Sequence, residues 1–176
     1  GCAVTARKKG LRAALAAKTT RVEHYDIPVV DSSTVDKIVT RLNQARQLSL
    51  MANLGDDKAA KDRAVAELAA VQTELDACFH RVEFTGLTSD ADLDALLNAY
   101  PATAEQKAKD PDATTDPDGF NLALLVACVV DGDGMTVEDW REELWSPKWT
   151  RADRNALFQA VSAANQREFS ADIPKD

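Results

Sequence analysis

The chain has 176 residues, of which 45% are apolar and 28% charged, with 7 Gly, 6 Pro and a net charge of −8 at neutral pH. This is ample for one buried core and excludes a low-complexity, collagen-like or disulfide-dense chain. Aromatics make up only 6% and Ala is abundant, so the expected class is mainly α, with helix favoured over sheet.

Charge is unevenly spread. Residues 1–88 hold 13 Lys and Arg against 11 Asp and Glu, whereas residues 89–176 hold 8 against 18. The first 21 residues carry six cations (Arg7, Lys8, Lys9, Arg12, Lys18, Arg21) and no acid. A basic arm on an acidic body can dock copies head to tail or touch an anionic surface, although a basic solvated helix end needs no partner. Cys2, Cys78 and Cys128 are far apart, with no CxxC and no His at metal spacing, so no metal or other cofactor is expected. Cys78 and Cys128 fall in helical apolar patterns, as small hydrophobes in a reducing compartment. The start, Gly-Cys-Ala-Val-Thr, fits a short lipidation pattern that is frequent by chance. No targeting or membrane-spanning segment is read, which points to the cytoplasm.

In chain order, Thr5 to Lys18 predicts a short Ala-rich helix within the 1–21 arm, with Leu11 and Leu15 four apart. Residues 22–87 form a predicted β-αα-β module. Arg21 to Val30 alternates partly (Val22, His24, Ile27, Val29), and Pro28 makes it an edge strand. A helix under a Ser33–Asp36 cap then places Val35, Ile38, Val39, Leu42, Ala45, Met51 and Leu54 at helical spacing, up to Gly55. After Asp56 and Asp57, Ala64, Leu68, Val71, Leu75 and Cys78 follow a heptad seam. Two such helices around a Gly turn make an αα-hairpin, expected to project or to pair with a neighbouring subunit. His80 to Leu87 alternates as a second strand, with Val82 and Phe84 facing one way, antiparallel to the first.

Residues 88–170 form a predicted helical body, followed by a tail at 171–176. Ser89 and Asp92 cap a helix bearing Leu93, Leu96, Leu97 and Tyr100, which Pro101 stops. A polar connection runs from Thr103 to Asp118, with a helical turn or two available over Thr103 to Lys109. The centre of the body is DPDGFNLALLVACVVD, from Asp116 to Asp131, whose nine residues from Leu122 to Val130 are all apolar. Asp116 stands at an N-cap, Pro117 at the first helical position, and Gly132 and Gly134 at the stop, predicting an enclosed core helix of about four turns with the C-terminal helices as its jacket. Thr136–Asp139 and Thr150–Asp153 cap two more helices, carrying Trp140 with Leu144, and Leu157 with Phe158 and Val161.

No catalytic constellation is legible. Asp131-Gly-Asp-Gly134 fails the calcium-loop frame, because Val129 then takes the first ligand position and Trp140 the position of the bidentate Glu; a tight turn explains it. His24 and His80 stand in the two strands as candidate cross-strand neighbours, without a positioned nucleophile or phosphate loop. The chain is therefore not expected to be an enzyme. Trp140, Trp145, Trp149 and Phe158 gather large aromatics within 19 residues. Such a cluster completes a core or anchors an interface, and Lys148 between Pro147 and Trp149 suggests a loop, so these four are the candidate partner-binding residues.

The order LLNAYPATAEQKAKDPD, a Pro-Asp-x-Phe start to an apolar helix ending Ala-Cys-Val-Val, Met-Thr-Val-Glu-Asp-Trp, and Ala-Leu-Phe-Gln-Ala-Val-Ser-Ala-Ala-Asn-Gln resembles the tail assembly chaperones of long-tailed phages and prophages of actinobacteria. The N-terminal half is similar in plan. The resemblance implies a non-enzymatic protein of the bacterial host cytoplasm, absent from the mature virion. Such a protein binds the long helical tape measure protein and keeps it soluble while tail tube subunits polymerise around it. It also implies self-association, and contact with tail tube protein through a longer frameshift product. The alternative is a nucleic-acid-associated head or tail adaptor that uses the basic arm; neither nucleic acid nor membrane is the favoured partner.

Overall fold

The computed structural model of the chain describes residues 10–166. These are mainly helical, with eight helices and a two-stranded antiparallel sheet. They fall into two compact units: His24–Val82, and a second that gathers the described residues up to Glu23 and from Glu83 onward.

Most of β1 (Val22–Pro28) and of β2 (Phe79–Thr85) lies in the first unit, where the strands flank the helices α2 (Ser32–Leu54) and α3 (Lys58–Asp76). Val29 N–H donates to the Cys78 carbonyl at 2.9 Å, and Arg81 meets Asp26 at 2.9 Å, the second pair three residues along each strand from the first and in the same antiparallel register. That register places His24 and His80 on opposite faces of the ribbon, so they are not cross-strand neighbours. On β1, Tyr25 and Ile27 are half-buried while Val22 and Val29 are exposed, so the inward face is displaced from the one its alternation predicts.

The hairpin seam is as the heptads predict in α3: Val71 and Cys78 are buried, and Ala64, Leu68 and Leu75 half-buried. In α2 the seam runs Val35, Ile38, Leu42, Ala45, Ser49 and Ala52, alternating steps of three and four. Met51 and Leu54, expected on it, are 68% and 90% exposed, because the three-four alternation runs on through Ser49 and Ala52 and turns Met51 and Leu54 to the opposite side of the helix. The helix also starts sooner than expected, because Asp31 rather than Ser33 caps it, accepting from Thr34 N–H at 2.8 Å. Asp57 caps α3 in the same way through Ala60 N–H. Arg41 and Glu74 tie the two helices with a paired bond of 2.6 and 3.1 Å.

The second unit holds α1 (Leu11–Ala16), α4 (Asp90–Ala99), α5 (Ala104–Lys109), α6 (Pro117–Cys128), α7 (Val137–Leu144) and α8 (Arg151–Gln166). Of the predicted Thr5–Lys18 helix, the described part is the exposed α1; the arm before residue 10 and the tail beyond 166 lie outside the described residues. The core helix is α6, in contact with α4, α7 and α8, as its composition requires. Leu122, Ala123, Leu124, Leu125 and Cys128 are buried and Val126 half-buried. It is shorter than expected. Val129 leaves the helix for an extended conformation and bridges Phe84, while Val130 N–H donates to the Glu83 carbonyl at 2.9 Å. The end of the apolar run thus adds a rung to the β2 edge rather than a turn to the helix.

The polar connection before α6 closes on itself: Pro101 bridges Thr115, Ala102 N–H reaches the Thr114 carbonyl and Asp116 N–H the Tyr100 carbonyl. Thr103 and Gln106 form a reciprocal capping box on α5 between these ends. Asp116 stands at the N-cap of α6, but its carboxylate accepts from Gln106 Nε2 at 2.8 Å instead of capping. The Asp131–Gly134 turn is tight, as predicted, with Asp133 and Gly134 both at positive φ. Where β2 leaves for α4, Leu87 N–H donates to Asn165 Oδ1 at 2.9 Å. Asn165 in turn donates to the Val161 carbonyl and approaches Cys128 Sγ, joining three elements through one amide.

Candidate functional site

Two capping devices fix the segment between α7 and α8. Thr136 and Asp139 form the box that starts α7, and the bonds donated by the Thr136 backbone N–H and then its hydroxyl hold the Asp139 carboxyl below its ordinary range. Thr150 and Asp153 repeat the arrangement at the start of α8, and there the Thr150 hydroxyl lowers the Asp153 pKa most. Between them, Glu143 takes Lys148 Nζ and Trp149 Nε1, and its pKa is lowered, chiefly by the Lys148 bond and then by Trp149. The Ser146–Thr150 loop is therefore tied at both ends and in the middle.

The four aromatics predicted as partner-binding have different fates. Trp140 is 5% exposed and belongs to the core, its indole Nε1 without a hydrogen-bond partner among the described residues. Trp149 is half-buried and turned toward Glu143. Trp145, at the C-cap of α7, is 50% exposed, and Phe158 is half-buried on α8. These last two share a groove of about 330 Å³ with Asp118 and Asn121 of α6 and with Arg151, Arg154 and Asn155 of α8. The spacing in the first two turns of α8 explains the pairing: Arg151, Arg154, Asn155 and Phe158 follow one another at helical spacing and share one face.

Arg154 organises the groove. One guanidinium nitrogen donates to the carbonyls of Leu144 and Trp149, each at 3.1 Å, and its carbon lies 5.3 Å from the centroid of the Trp145 ring. The carbonyl bonds hold the cation in place, and the cation holds the ring, a contact worth about 0.5–1 kcal/mol at an exposed position. Trp145 is thus presented rather than free to fold down. Arg151 stands in the first turn of α8, where the helix dipole disfavours a cation, and it makes no ion pair among the described residues.

The groove offers an aromatic wall, two guanidinium groups, two amides and one carboxylate, and the described residues lining it include no Ser, Cys or His. Among the described residues there is also no group of three or more His, Cys, Asp or Glu able to hold a metal ion. His24 lies 3.9 Å from Asp26, whose pKa is lowered first by its hydrogen bond from Arg81; this is an exposed strand-surface pairing. Cys78 and Cys128 are free and buried, and burial pushes the Cys128 thiol up. No helix among the described residues is long and apolar enough to cross a membrane.

Sequence reasoning found Trp145 and Phe158 but missed Arg151, Arg154, Asp118 and the two asparagines. They come from segments some thirty residues apart in sequence and show no joint spacing; the one available signal was Arg151 in a helical first turn. Set against protein-family models, curated proteins and solved structures, the chain matches none.

Proposed function

We propose that this protein is a phage tail assembly chaperone, a non-enzymatic binder that holds helical segments of a tape measure protein in soluble form during assembly of the tail tube. The observation that carries the reading is the half-exposed Trp145, held under Arg154 at the mouth of a groove with Phe158 and with Arg151, which makes no ion pair among the described residues. A rigid, partly exposed Trp beside an available Arg is what protein-interface anchors are made of. An amphipathic helix can place an apolar side chain against Trp145 and Phe158 and a carboxylate against Arg151. The resemblance of residues 96–166 to tail assembly chaperones supports the same reading.

The test is co-expression with overlapping fragments of a phage tape measure protein. A fragment that is insoluble alone is expected to become soluble and to co-purify. Trp145→Ala and Arg151→Glu, both exposed and foldable, are expected to weaken capture roughly 10-fold or more each, as anchor losses do. Failure to solubilise any fragment, or full capture by both variants, would count decisively against the proposal.

A further inference from the structure

Helix α1 is short of local support. It has six residues, starts at Gly10 without a side-chain cap, carries no acid in its first turn, and is exposed along its whole length. Helices this short are not stable in water by themselves and persist by packing an apolar face. Such a face is present, because Leu11 and Leu15 stand one turn apart and are 75% and 61% exposed. Arg12 and Lys18, close to them in the chain, make no ion pair among the described residues.

The same unit carries an apolar groove of about 430 Å³, lined by Leu87 after β2, by Asp92, Ala95 and Leu96 of α4, and by Ala127 of α6. Helix α4 is anionic: Asp90, Asp92 and Asp94 are its only charged residues, and none is in an ion pair among the described residues. The strand register brings α1 to this groove. With Val29 at Cys78 and Asp26 at Arg81, Val22 falls opposite Thr85, two residues before Leu87. Residues 17–21 are all that separates α1 from Val22. Five residues reach at most about 18 Å, so α1 is confined to this end of the ribbon.

We infer that α1 docks in this groove of its own chain, with Leu11 and Leu15 against Leu87, Ala95, Leu96 and Ala127, and with Arg12 beside Asp92. Three separate observations converge on the pair: two uncovered apolar surfaces, opposite unpaired charges, and a short covalent connection. The connection also selects the chain's own α1 over that of another copy. A tether this short holds α1 near the groove at an effective concentration of about a millimolar, well above that of other copies in dilute solution. The groove shares no lining residue with the Trp145 site, so either reading can fail alone.

The test is disulfide trapping in the full chain. Cys2→Ser removes one thiol, and Cys78 and Cys128 are buried, so introduced pairs can be read cleanly. Leu15→Cys with Ala95→Cys is expected to close a bond within one chain under mild oxidation, at the same rate at about 1 and about 100 µM protein. It should form roughly 10-fold or more faster than Leu15→Cys with Asp94→Cys, whose second position is at a similar reach but turned away from the groove on α4. Ala95→Cys alone should react several-fold more slowly with a maleimide than when Leu11→Ser and Leu15→Ser accompany it. Ala127→Cys, exposed on α6, gives the same reading where Ala95→Cys does not fold. Equal rates for the two pairs, or labelling indifferent to the two serines, overturns the inference. So does a bond that joins two chains, which would put α1 in the groove of another copy.

Discussion

Asn165→Ala tests how the second unit is held together. Its Oδ1 is the acceptor for Leu87 N–H, 2.9 Å away and half-buried, and losing an acceptor to such a donor costs about 1–3 kcal/mol when water cannot replace it. Partial water access puts the loss in the lower half of that range. The second bond, to the Val161 carbonyl at 2.9 Å, adds little, because that oxygen lies one helical turn back and already serves the helix ladder. Ala is the better helix former by about 0.5 kcal/mol, which offsets part of the loss. The net expectation is about 0.5–1.5 kcal/mol. With a urea slope of about 1–3 kcal/mol per molar, the unfolding midpoint should fall by roughly half a molar. Gln159→Ala, exposed on the same helix, is the control and should be neutral or slightly stabilising. Asn165→Asp keeps the acceptor but turns the donor side into an anion beside the Val161 carbonyl and Cys128 Sγ, so it should be less stable than Asn165→Ala at pH 7 and recover toward pH 4. If Asn165→Ala unfolds at the wild-type urea concentration, the tie between β2, α6 and α8 is not what holds this corner, and the reasoning fails.

Three further predictions can be checked on the same preparations. Gly86→Ala places a Cβ 3.1 Å from the Ala164 carbonyl carbon and closer still to its oxygen, so β2 must part from α8; a loss of about 1–3 kcal/mol should appear in urea unfolding, and an unchanged midpoint would contradict the packing. Asp26, Asp139, Glu143 and Asp153 all have lowered folded-state pKa values, so their contribution is complete above the unfolded values of 3.8 and 4.5 and disappears as pH falls through the folded ones. Unfolding midpoints should accordingly drop below about pH 4, and Asp139→Asn with Asp153→Asn should flatten that acid limb; an equally steep limb in the variant refutes the assignment. Cys78 and Cys128 are buried, and burial raises the Cys128 pKa, so neither should react with Ellman's reagent in native protein at pH 8, whereas both should in urea; fast native labelling of either would show that its cover opens.

Much of the fold was legible because much of it is local. Heptad spacing marked the α3 seam, and short-range hydroxyl and carboxylate pairs marked the starts of α7 and α8, since those contacts lie within a few residues. What escaped is tertiary. Val129 and Val130 read as helix because they are apolar, but Phe84 and Glu83, over forty residues earlier, draw them into a β-bridge. Met51 and Leu54 read as seam because spacing alone cannot tell one apolar stripe from two on the same helix. Among the aromatics, the sequence supplied the cluster but not the sorting: burial claimed Trp140, Glu143 claimed Trp149, and a cation from α8 kept Trp145 outside.

The chain leaves for the α2–α3 excursion along one strand and returns along its antiparallel mate, so the two ends of the detour are side by side. Deleting seven residues from each arm would take about 10 Å off the rod while preserving the knob order on both sides and leaving the strand ladder untouched. Insertion of matched heptads would do the reverse. The molecule thus contains a built-in ruler whose span can be edited without rewriting anything at its base.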